Sequence, residues 1–179
     1  LGGIDTVEEG VTSRSLADRK VSGSLTVLAI RCDSFFDREG LYGESDQDYP
    51  DNLERFGYFS RAVVELLLVL NRRWGWKSAV IHLHDWQAAL CAVYLKSVYR
   101  AYPELVGVRS ELTLHNIGYQ GVFPGSEYWK VGLPDALFSI SSLEYYGSVN
   151  LLKGGIVFAD FLTTVSPTYS RDIQSSEFG

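Results

Sequence analysis

Hydrophobic positions along this chain switch between a helical and a strand-like period. Phe56, Phe59, Val63, Leu66, Leu67 and Leu70 recur at helical spacing, so residues 54–73 are predicted to form an amphipathic helix. Short apolar, β-prone runs at 25–32, 79–84, 111–115 and 161–165 read as strands. Residues 87–99 read as a helix ending before Pro103, and another helix is expected near 149–158. Ser166 and Pro167 have the form of an N-cap and first-turn residue opening a last helix. Strands alternating with helices favour parallel pairing, hence an α/β fold. Residues 1–23 are polar, have no convincing period and read as irregular, with at most a short strand near Val11. Residues 33–52 read as an acidic, aromatic, glycine-bearing loop. No internal repeat or low-complexity tract interrupts the pattern.

Composition narrows the function classes. A chain of 179 residues, 46% hydrophobic and 21% charged, is enough for one core but not for two large domains. A net charge of −6 disfavours nucleic acid or an anionic membrane as partner, because both require a basic face. No apolar run reaches the 18 or so residues of a membrane span; residues 63–70 are too short and flanked by charge. Cys32 and Cys91 lack metal-like spacing and read as free thiols. The chain starts at Leu1 and has no Met, so it is expected to belong to a longer natural sequence.

Two strand ends carry the polar groups of most interest, since ligands of open α/β sheets bind beyond the carboxyl ends of the strands. The first run enters His84, Asp85 and Trp86; the second, Leu-Thr-Leu, enters His115, Asn116 and a loop bearing Gly118 and Gly121. Asp85 suits a hydroxyl-rich ligand, with Trp86 offering a flat apolar face, or else it caps the next helix while Trp86 packs on the sheet. Imidazole and carboxamide both donate and accept, so His115 and Asn116 suit sugar hydroxyls; the alternative is a turn capped by Asn116. Gly118 and Gly121 would keep the loop close to a ligand or supply positive φ. His82 and His84 are expected on opposite sides of their strand, which makes them a poor metal pair, and His82 is read as a core histidine. No metal and no cofactor are assigned. Lys153, beside Gly154 and Gly155, lacks the phosphate-loop pattern and reads as a solvated or salt-bridged lysine next to close packing. Tyr128, Trp129, Tyr145 and Tyr146 read as core or lid packing, with part of a ligand-facing aromatic wall as the alternative. Asp85 has no partner carboxylate at another strand end, which disfavours glycoside hydrolysis.

HLHDWQAAL and LTLHNIGYQGVF, with YPDNLERFGYFSRAVVEL before them and YGSVNLLKGGIVFADFLTTVSPTYSRDI after, closely resemble the N-terminal domain of bacterial glycogen synthases and plant starch synthases. The resemblance covers residues 25–179, leaving 1–24 as an irregular or partly structured N-terminal segment. It implies an incomplete Rossmann-like domain of a two-domain GT-B glycosyltransferase. It further implies a retaining enzyme that extends α-1,4-glucan from a nucleotide-glucose, ADP-glucose by preference. His115 and Asp85 are then the catalytic candidates, and Asn116, Trp86, Tyr49 and Gly118 the substrate-binding ones. Tyr49 has a second reading, as a loop aromatic covering the 54–73 helix. The family's Lys-x-Gly-Gly loop, first strand and second domain have no counterpart in these residues, so the isolated chain is expected to be inactive and poorly soluble. The location implied is the cytoplasm of a bacterium or the plastid of a plant or alga. Two competing readings are a noncatalytic glucan-binding scaffold and a sequence fragment with no separate role.

Overall fold

The computed structural model describes residues 4–9 and 25–176. Its elements run β1 (Ile4–Glu9), β2 (Leu25–Ile30), α1 (Asp33–Phe36), β3 (Gly43–Glu44), β4 (Gln47–Asp48), α2 (Asn52–Trp74), β5 (Val80–His84), α3 (Asp85–Lys96), β6 (Arg109–Leu114), β7 (Val122–Pro124), β8 (Glu144–Tyr145), β9 (Ser148–Asn150), α4 (Leu151–Phe158), β10 (Phe161–Thr164) and α5 (Pro167–Asp172). The chain falls into two units, residues 1–47 and 48–179. In the first, β1 and β2 pair antiparallel, Ile4 opposite Ile30 and Glu9 opposite Leu25. The stretch read as irregular therefore contains a strand, defined by a long-range ladder that local periodicity does not show. The strand expected near Val11 lies outside the described residues.

In the second unit β5, β6 and β10 form a parallel sheet in the order β10–β6–β5, with Leu83 opposite Leu112 and Thr163 opposite Thr113. Ile81, Leu83, Ser110, Leu112 and Leu114 are buried on the face that receives the helices. Helices α3 and α4 meet there through glycine: a Cβ on Gly155 would stand 2.7 Å from the Ala89 Cβ and 2.9 Å from Leu112 Cδ2. Any larger residue would force the layers apart. Helix α2 packs on α3, where Ser60 Oγ donates to the Gln87 carbonyl at 3.3 Å. Its most buried row is Leu53, Gly57, Ser60, Val64 and Leu68, while Phe56, Val63 and Leu67 of the predicted stripe are half-buried. Gly57 and Ser60 add nothing to a hydrophobic pattern, yet their small size lets neighbours approach; a Cβ on Gly57 would lie 3.1 Å from Val131 Cγ1.

Polar ties complete the frame. Asn150 caps α4 by accepting from Lys153 N at 2.9 Å, and Ser166 caps α5 by accepting from Tyr169 N at 3.1 Å, the latter as predicted. Lys153 Nζ donates to the carbonyls of Ile140 and Glu144, so it is a loop clamp, not a solvated or ion-paired lysine. Asp160 sits between β10, β6 and α3 and accepts from Lys96 Nζ (2.9 Å), Arg109 Nη1 (3.0 Å), Ser110 N (2.9 Å) and Ser110 Oγ (3.1 Å). Burial works against its charge, but these donors outweigh it and hold the carboxyl well below the usual carboxylate range. Cys91 is buried and its thiol is pushed up to about 12 by desolvation, which leaves it protonated and inert. Among the described residues no helix is long and apolar enough to cross a membrane.

Candidate active site at the strand ends

Because all three strands run the same way, His84–Asp85, His115–Asn116 and Val165–Ser166 leave the sheet at one edge. There Asp85 adopts φ +55°, a left-handed conformation that non-glycine residues rarely take. His84 is the N-cap of α3 and makes no side-chain cap bond. The turn aims the Asp85 carboxylate across the strand gap, where Oδ1 accepts from His115 N at 2.7 Å. The two sequence-predicted strand ends are thus joined by a hydrogen bond from the backbone of one to the side chain of the other.

The loop after β6 is held at several points. Asn116 Oδ1 accepts from Gly118 N at 2.9 Å, the local Asn turn that was one of its two readings, which leaves the Asn116 Nδ2 amide as the group that can reach outward. Tyr169 on α5 accepts from Ile117 N at 2.8 Å. Gln120 donates to the Ile117 carbonyl at 3.1 Å and accepts from Asn150 Nδ2 at 2.6 Å. Gly121 has φ +62°, and a Cβ there would lie 2.4 Å from Trp86 Cε3, so the backbone rests directly on the indole. Gly118 is negative in φ and needs no such freedom; its amide is what the turn uses. Trp86 is 9% exposed and edge-on to Phe56, with ring centroids 4.6 Å apart. It supports the loop from below and does not present the open face expected of it.

His82 and His84 require a correction. Residues two apart share a face of a strand, and the rings lie side by side with centroids 4.3 Å apart on the exposed face of β5. His82 is not a core residue; its Nε2 meets Thr113 Oγ1 at 2.6 Å. His84 Nδ1 meets His115 Nε2 at 3.0 Å. Partial desolvation, then the neighbouring His82 and His115, lower the His84 pKa from its ordinary value. No group of three or more His, Cys, Asp or Glu among the described residues is arranged to hold a metal.

Tyr49 is half-buried beneath the Arg55 guanidinium, 4.9 Å from its ring centroid, and Arg55 also lies 5.4 Å from Phe56. Tyr49 is thus linked to Trp86 through Arg55 and Phe56, the packing that its loop-aromatic reading describes. Of the other aromatics, Tyr128 is core and donates to the Pro134 carbonyl at 2.9 Å, whereas Trp129 and Tyr146 are exposed. Sequence reasoning missed Tyr169 and Gln120. Tyr169 lies three residues after an N-cap in a short helix, and its link to the loop is a purely tertiary one.

The family model for the starch synthase catalytic domain matches residues 6–179. The glycogen synthase of Syntrophotalea carbinolica is 41% identical, covering all of this chain and 36% of that protein. The glycogen synthase of Thermodesulfovibrio yellowstonii is 45% identical over 84% of this chain and 29% of its own length. Among solved structures, the catalytic domain of Starch Synthase IV from Arabidopsis thaliana, bound to ADP and acarbose, superposes with a TM-score of 0.74 at 34% identity, over 98% of this chain and 37% of that one. The chain spans about a third of the length of these relatives. With its parallel sheet and flanking helices in the same α/β arrangement, this chain belongs to the starch synthase catalytic domain family.

Proposed function

We propose that this chain supplies the sugar-holding side of a retaining GT-B glucosyltransferase, which extends α-1,4-glucan from a nucleotide-glucose. The observation that carries the reading is the joined strand ends: Asp85 holds the His115 backbone at 2.7 Å, and the His115–Asn116 loop stands at the carboxyl edge of the sheet. Asp85 Oδ1 accepts that contact, and the carboxylate keeps further lone pairs, both of those on Oδ2 among them, to accept from a sugar hydroxyl. His115 and the Asn116 amide contribute neutral hydrogen bonds to the transferred glucose, and the Gly118 turn and buried Trp86 fix where they stand. Tyr49 acts through the Arg55–Phe56–Trp86 stack. ADP in the related plant structure supports ADP-glucose as donor, and the glycogen synthase relatives support a glucan acceptor.

Hydrogen bonds fixed in advance at such a site stabilise charge that develops during transfer, and losing one typically lowers turnover about a hundredfold or more. The test is His115→Ala in the whole protein, assayed with ADP-glucose and maltooligosaccharide. The reading expects kcat to fall about 100-fold with the fold intact. Unchanged turnover would contradict it.

A further inference from the structure

The exposed face of the sheet carries a hydrogen-bond chain whose direction can be deduced. Thr163 Oγ1 donates to Glu111 Oε1 at 3.2 Å, and a carboxylate only accepts. With its single hydrogen used there, Thr163 must accept from Thr113, 2.7 Å away. Thr113 has then spent its own hydrogen and must accept from His82 Nε2 at 2.6 Å. His82 is therefore fixed as the Nε2–H form, with its ring laid against His84 at 4.3 Å.

His84 in turn meets His115 ring to ring: the centroids are 5.2 Å apart and Nδ1 lies 3.0 Å from Nε2. Resting on the assignment of His115 to the sugar site, we propose that His84 is a positioning residue that occupies His115 Nε2, fixes the tautomer of that ring and leaves His115 Nδ1 as the atom facing the sugar. The logic is set by donor count. If His84 Nδ1 donates, neutral His115 carries its proton on Nδ1 and offers the sugar a donor; if His115 Nε2 donates, Nδ1 offers an acceptor. One added proton is accommodated, since an imidazolium still donates to a neutral ring. A second leaves two donors face to face and breaks the contact. The charged or titratable groups around His84 are His82 on its own strand, Asp85 at the turn, and Glu111 and His115 from β6 and its end; three of these four, together with the sheet hydroxyls, belong to the network itself.

The test uses the whole protein, with two substitutions at His84. His84→Phe keeps a ring against His82 but no nitrogen, and His84→Asn keeps an amide near the Nδ1 position. His84→Phe is expected to lower kcat about tenfold, with the KM for ADP-glucose nearly unchanged. His84→Asn is expected to recover most of that loss, and to shift the acid limb of the kcat–pH profile because Asn does not titrate. Nitrogen-15 spectra of the histidine rings give a readout apart from activity: wild type should show coupling between His84 Nδ1 and His115 Nε2 and one His115 tautomer. Wild-type kcat and pH profile in His84→Phe would overturn the inference, as would absence of that coupling, which decides the matter if the Phe variant does not fold. If His115→Ala keeps full activity while the coupling is present, it is the assignment of His115 to the sugar that fails, and the ring pairing stands.

Discussion

Gly121→Ala provides the most quantitative test of how the site loop is built. Two separate costs fall on one added methyl. Holding alanine at φ +62° costs about 1 kcal/mol relative to glycine. The methyl would also stand 2.4 Å from Trp86 Cε3 and 2.8 Å from Cδ2, where carbon contacts normally lie near 3.5–4.0 Å, so the ring or the loop must move by roughly 1 Å. Trp86 has little room to yield, being buried and edge-on to Phe56 at 4.6 Å, and overpacking of this kind costs about 1–3 kcal/mol. The sum is about 2–4 kcal/mol of destabilisation. Urea unfolding of the whole protein, followed by far-ultraviolet circular dichroism, should show a lower midpoint with an unchanged slope. A change below about 0.5 kcal/mol would mean that loop and indole do not touch as described.

Other perturbations separate the ties that hold the frame from those that hold the site. Asp160→Asn keeps the shape but removes the charge shared by Lys96, Arg109 and Ser110, and should cost about 2–4 kcal/mol at neutral pH in denaturant titration. Because the folded Asp160 pKa is depressed, its contribution is present above the unfolded carboxylate value near 3.9 and is lost as pH falls toward the folded one. Acid unfolding of the wild type should therefore steepen below about pH 4, and the Asn variant should lack that component. Tyr169→Phe leaves Ile117 N without its acceptor and should cost about 1–2 kcal/mol while lowering kcat more than it alters donor KM; equal kinetics would show that α5 does not position the loop. Asp85→Asn retains an oxygen for His115 N and should preserve stability better than Asp85→Ala, which removes it; equal melting temperatures for the two would discount the strand-end bridge.

Elements with strong local signals were legible in the sequence, and contacts made at a distance were not. The parallel strands and the Ser166–Pro167 helix start follow from β-prone runs and capping chemistry, both of which act within a few residues. Strand β1 escaped because its partner lies about twenty residues away along the chain. The buried row of α2 escaped because Gly57 and Ser60 mark it by smallness. At the candidate site, the polar strand ends bearing Asp85, His115 and Asn116 were legible, but the Asp85 tie to the His115 backbone depends on a left-handed turn that nothing in His-Asp-Trp announces. The histidine pair was misjudged for a simpler reason: the two-residue repeat of a strand puts His82 and His84 on one face, so His84 can meet His115 from the adjacent strand end. Tyr169 carries no local mark of its tie to the loop after β6.

The central claim is that the joined strand ends hold glucose during transfer. It is tested most directly by radiolabelled glucose incorporation from ADP-glucose into maltooligosaccharide, comparing the whole wild-type protein with His115→Ala. The account predicts α-1,4-linked product from the wild type and about a hundredfold lower kcat in a variant with the same melting temperature. Equal incorporation by a folded His115→Ala protein, or none by the wild type, would contradict it.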